Sequence, residues 1–191
     1  MTPLAINSPA AQTTDRYAQF NVDTMKRNLL ILIFIVCSSF VYSQDDWSSW
    51  NENYNEINIK KIISKEKAYA DSVDNGLIDG KYYIRMSTYR FDAIYTGEKR
   101  KISENVKSSM RRVYKTLGNP EHLAIIDNIE HEFKFLVEDE EYWFPIQIVL
   151  EKPLKKENKR GEVVHLYCLF LNEHDMEGIL YNSFFISEFK K

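Results

Sequence analysis

The chain has 191 residues, with 25 Lys and Arg against 28 Asp and Glu and a formal net charge of −3. At 44% hydrophobic and 14% aromatic it has the make-up of a globular protein rather than a disordered or fibrous one. The acidic balance excludes general nucleic-acid binding, which needs a net basic surface, and two cysteines exclude a disulfide-stapled scaffold.

Residues 1–24 are polar and aperiodic, and Asp23 sits close to a basic pair, so this stretch reads as a mis-called extension upstream of a true start at Met25. Lys26-Arg27 followed by the apolar run Leu29 to Val36 has the form of an export signal. Residues 25–43 are therefore read as a signal peptide, with Val41-Tyr42-Ser43 before the cut and Gln44-Asp45-Asp46 after it. The rival is an inner-membrane anchor through residues 29–42. As a helix those residues span roughly 21 Å, against about 30 Å of hydrocarbon, which favours cleavage. Branched Val36 before Cys37 speaks against lipid attachment there.

The remaining stretch, residues 44–191, is long enough for a single exported domain with a sizeable core. Removing residues 1–43 takes three cations (Arg16, Lys26, Arg27) and two acids (Asp15, Asp23), leaving the domain one charge more negative than the whole. Cys168 then stands alone, so packing must hold the fold together.

A first helix is expected from Trp50 to Val73, because Ile59, Ile62, Ile63, Tyr69, Ala70 and Val73 recur at three- and four-residue spacing. Asn75-Gly76 stops it. Lys81 to Tyr95 alternates as a strand, with a phase slip near Ser87-Thr88 that predicts a bulge and Thr96-Gly97 as its end. Ser103 caps a second helix whose stripe is Val106, Met110, Val113 and Leu117, ended by Gly118 and Pro120. Asn119-Pro120 opens a short third helix through Ile126.

Glu132 to Val137 and Glu141 to Phe144 form a hairpin around Glu138-Asp139-Glu140. Pro145 ends the ladder, a short helical turn comes next, and Lys152 to Arg160 reads as a basic connection. Val163 to Leu171 is a central strand apolar on both faces. Asn172 to Gly178 is a polar hairpin loop, and Ile179 to Phe189 is the last strand. The fold class expected is α+β: a small, partly open antiparallel β-barrel or curved sheet of the oligonucleotide-binding or SH3-like sort, with an N-terminal helix and one inserted helix.

Catalytic signatures are missing. No G-x-S-x-G elbow and no phosphate-binding glycine loop occur. Asp71 to Asp79 fails as a calcium loop, because Val73 and Tyr82 stand where ligands are needed. His174, with Glu173 and Asp175, is the weak metal candidate, short of the three or four convergent ligands a tight site needs. Cys168, in an apolar run, reads as an inert thiol. No catalytic residue and no cofactor is implied.

Partner-binding candidates are the leading aromatics Trp47, Trp50 and Tyr54, and the helical cations Lys107, Arg111 and Lys115, with Arg112 beside them. Lys152, Lys155, Lys156, Lys159 and Arg160 form a second basic stretch suited to an anionic partner. The function expected is a non-catalytic binding domain, exported to the periplasm or secreted and meeting an envelope protein, glycan or lipid. Membrane contact is expected only through an uncleaved signal. The alternatives are a small exported hydrolase or metal-binding enzyme, and an inhibitor or stress protein.

Overall fold

Periodicity and capping lay down the local elements in chain order. The structure, a computed structural model, describes residues 47–191. The extension, the export signal and Cys37 lie outside the described residues. The elements are α1 (Trp47–Asn53), β1 (Asn55–Glu56), α2 (Ile59–Asp74), β2 (Tyr83–Lys101), α3 (Glu104–Leu117), a 3-10 turn (Pro120–His122), α4 (Ala124–Asp127), β3 (His131–Val137), β4 (Glu140–Pro145), α5 (Ile148–Glu157), β5 (Val163–His174) and β6 (Leu180–Lys190). They form one compact α+β unit.

The expected first helix is two. Asn58 takes extended backbone and its side chain accepts the Lys61 N–H, which starts α2 afresh. Between the helices, Asn55 and Glu56 pair in parallel with Tyr89 and Arg90 of β2. Arg90 holds this segment by donating to the Tyr54 carbonyl at 3.0 Å and pairing with Glu56.

Strand order is β4-β3-β2-β5-β6, with β1 beside β2, and the ladders along that path are antiparallel. The sheet is not closed, so what stands of the expected partly open barrel or curved sheet is an α+β chain with a largely antiparallel open sheet. Among the described residues one isolated bridge, Ile146 to Ile186, joins the end of β4 to β6. The predicted bulge also moves. β2 pairs with β5 without a break from Tyr83 to Ile94, so Ser87-Thr88 is regular strand. The irregularity falls between Tyr95 and Lys99 on the β3 side, where Gly97 has φ +78°. Gly97 thus redirects the strand and does not end it.

Side chains alternate between two cores. The inner face buries Phe91, Phe133, Phe135, Phe144, Val164, Leu166, Cys168, Phe170, Phe184 and Ile186, covered by Ile59 of α2 and Leu154 of α5. The outer face buries Leu171 and Phe185 against Met110 and Val113 of α3 and Ile126 of α4. Cys168 is fully buried, and burial pushes its thiol well above the ordinary range, as expected of an inert group. Ser103 caps α3 as predicted. The basic connection at Lys152 is instead the body of α5, which runs through Pro153 because Leu150 and Leu154 seat it on the inner core.

Buried Glu132 on β3 accepts the Arg100 Nε–H at 2.8 Å, with that guanidinium 4.3 Å from the Trp143 ring centroid. Burial holds the Glu132 carboxyl above its ordinary range, while Arg100 opposes the shift. The folded chain keeps a proton here over an interval in which the unfolded chain has lost it. Stability from this position therefore falls as pH rises through that interval, just above the ordinary glutamate range. The variant Glu132→Gln is expected to gain on the wild type as pH rises through the interval just above the ordinary glutamate range, read from urea midpoints. A gap that stays flat across that interval would show a carboxyl titrating alike in both states.

Candidate functional site

The deepest change from the sequence reading is at Asn172-Glu173-His174. Expected in a solvated loop, these three residues extend β5 and are completely buried. Their pairing is with Arg85, Ile84 and Tyr83 of β2 and with Asn182, Tyr181 and Leu180 of β6. The loop proper is residues 175–179. Its organiser is Asp175, whose Oδ1 accepts the N–H groups of Glu177 and Ile179 at 3.0 and 2.8 Å. Gly178 completes the turn at φ +83°.

Strand alternation separates the metal candidates. Glu173 turns toward α3, where its two oxygens accept hydrogen bonds from Arg112 Nε and Nη2, both at 2.6 Å. This is the fork-to-fork geometry of a strong guanidinium–carboxylate pair. His174 turns to the other face, against the C-terminal end of α2. Its Nε2 lies 3.2 Å from Asp74 Oδ1, close but not aligned for a hydrogen bond, and its ring centroid is 5.3 Å from that of Tyr83. Asp175 is spent on its own loop. The trio does not converge, and among the described residues no group of three His, Cys, Asp or Glu side chains is placed to hold a metal.

Where Glu173 and Arg112 meet, the surface forms a cleft of about 590 Å³. Asn105, Ser108 and Arg112 line one wall as a single stripe of α3 at i, i+3 and i+7. Tyr82 and Tyr181 line the other side, and Met176, Glu177 and Ile179 form the lip. The floor is rigid, because Glu173 sits in the middle of a three-stranded ladder. Pairing with Glu173 holds the Arg112 guanidinium above its ordinary range, and burial raises the Tyr82 phenol. Met176 is 79% exposed, Tyr82 46% and Ile179 43%, so the lip offers apolar surface to solvent. Leu77 and Ile78, on the loop leading to Tyr82, are exposed too.

The predicted partner residues lie elsewhere. Trp47, Trp50 and Tyr54 surround Tyr167 on the outer sheet face, with ring centroids 5.3 to 5.5 Å from its own. The Tyr167 hydroxyl donates to Asn51 at 2.8 Å. These rings dock on their own domain. Lys107 Nζ donates to the Asp127 and Ile129 carbonyls, and Arg111 pairs with the Asp127 carboxylate at 2.7 Å, so both tie α3 to α4. Lys115 stands exposed in the last turn of α3.

The cleft escaped the sequence reading because its walls come from three separate stretches of the chain. One signal was available: the central strand had to match the length of β2, which carries β5 through residue 174. No protein-family model matches the chain, and comparison with curated proteins and with solved structures found no significant match.

Proposed function

We propose that the chain is a non-catalytic binding domain, exported across the inner membrane of a bacterium, which docks a protein partner at the hairpin-end cleft. The observation that carries this reading is the lip itself. Apolar Met176, Ile179 and Tyr82 stand in solvent beside Asp175 and Glu177, over a floor braced by the half-buried Arg112–Glu173 ion pair. Exposed apolar side chains rimmed by charge are the surface of an interaction site. The acidic rim calls for a partner that presents a basic edge around an apolar knob. Export rests on the basic pair and apolar run at residues 26–36, with a periplasmic or secreted product in which residues 1–43 are gone, or else one anchored through residues 29–42. An oligonucleotide-binding or SH3-like kinship of the strands has no weight here, since fold does not imply function.

One experiment tests compartment and surface together. A photo-crosslinking residue replaces Met176 in intact cells, and mass spectrometry reads both the adduct and the amino terminus of the captured chain. An envelope protein bound to a chain that starts at Gln44, and lost when Ile179→Asp is added, is the expected result. Uncrosslinked chain in the cytosol with residues 1–43 attached would end the proposal.

A further inference from the structure

The outward face of α5 is a second surface, apart from the hairpin-end cleft. Leu154 is fully buried and Leu150 packs on the inner core, which fixes the inward side of the helix. At about 100° per residue the opposite side centres on Lys152. Ile148 and Lys156 lie about 40° from that line, and Val149 and Lys155 about 60°. Ile148 is 44% exposed and Val149 68%. Two branched apolar side chains thus stand in solvent in the first turn, with three lysines beside and beyond them.

Tertiary structure adds to this charge. Beyond the Gly97 irregularity, Lys99 and Lys101 pair with Phe133 and His131. The Lys99 ammonium is 3.5 Å from His131 Nε2 and 3.7 Å from Glu151, and Lys155 Nζ lies 5.4 Å from the Phe133 ring centroid. Among the described residues Glu151 is the one carboxylate lining the depression formed with Lys152, Lys155 and Lys156, and it is already shared by Lys99 and His131. Burial, and next the neighbouring Lys99, hold the Lys155 ammonium below its ordinary range, while Glu151 opposes the shift.

We propose that this face of α5 docks on a membrane surface rich in anionic phospholipid. Ile148 and Val149 enter the headgroup boundary, while Lys99, Lys152, Lys155 and Lys156 meet the phosphates. Lysine stems can lie along the apolar boundary with their ammonium groups in water. A helix with an apolar patch beside basic residues is the form that binds in the plane of an interface. A soluble phosphate would answer the lysines but leave Ile148 and Val149 without a reason to be exposed.

The test mixes the full chain with vesicles of phosphatidylglycerol and phosphatidylcholine, with vesicles of phosphatidylcholine alone, or with inorganic pyrophosphate. Lysine acetylation is then read residue by residue by mass spectrometry, so that the apolar run at residues 29–36 cannot mask the result. Acetylation of Lys152, Lys155 and Lys156 is expected to fall at least about fivefold on the anionic vesicles, to stay unchanged on phosphatidylcholine and to recover at high salt. Joining Ile148→Ser with Val149→Ser removes that protection, while an unchanged melting curve shows that the fold survives. Equal acetylation on both vesicle types overturns the proposal. So does pyrophosphate protection as strong as that from vesicles and indifferent to the serine pair, which marks a site for soluble anions. None of these outcomes bears on the cleft at the hairpin end.

Discussion

Replacing Arg112 with methionine is expected to destabilise the protein by about 2–3 kcal/mol, less than the roughly 3–5 kcal/mol of a fully buried ion pair because one partner here reaches water. The reason is asymmetric exposure. The Glu173 side chain is 0% exposed, whereas that of Arg112 is 48% exposed and can be hydrated when alone. Arg112→Met strands a carboxylate in the middle of the sheet. By contrast, Glu173→Gln leaves a cation with access to water and is expected to cost about 1 kcal/mol. The double variant should recover part of the loss, giving a coupling of roughly 1–2 kcal/mol in a double-mutant cycle. Urea unfolding of the four proteins measures all of this. An Arg112→Met protein within about 0.5 kcal/mol of wild type would mean that water reaches Glu173 and that the cleft has no rigid floor.

The second large effect is in the inner core. Phe184→Ala is expected to cost about 3–5 kcal/mol and to lower the melting temperature by about 10 °C or more. Phe184 is 1% exposed, and its ring centroid lies 4.6 Å from that of Phe170, 5.8 Å from Phe91 and 5.9 Å from Phe144. It therefore ties β6 to rings on β2, β4 and β5, and an alanine leaves a cavity that none of those strands can close alone. Phe184→Leu keeps most of the volume but loses the ring contacts, so about 1–2 kcal/mol is expected. Calorimetry on the two variants checks the ranking. A loss below about 1 kcal/mol for the alanine would contradict the aromatic cluster as the centre of the core.

Local chemistry explains which elements were legible. The cap at Ser103 and the spacing of Val106, Met110 and Val113 specify α3 from nearby residues alone, because the N–H groups being capped lie within one turn. Gly118 ends that helix for a different reason from the one expected. Its φ is −92°, and a Cβ there would come within 2.7 Å of the Tyr114 carbonyl oxygen. The hairpin of β3 and β4 was readable because its turn, Glu138-Asp139, lies between runs of alternating residues. Misplaced features share another trait. Whether residues 55–57 continue a helix or pair with β2, and whether Lys152 to Glu157 is a loop or a helix, depends on partners distant in the chain.

Taken alone, the order of residues determined an α+β chain, the N-cap of α3 and its stripe through Val106, Met110 and Val113 (Leu117, expected on that stripe, is exposed), the main strands and a lone buried thiol in the described domain. Periodicity and capping act within a few residues, so they can be read in one dimension. Only the tertiary structure decided that Asn172-Glu173-His174 is buried strand, that Glu173 meets Arg112 while His174 turns away to Asp74, and that Lys155 of α5 comes beside Lys99. Each of these depends on which strand lies next to β5 and which helix covers its face, and neighbours of that kind are chosen by the packing of the whole sheet.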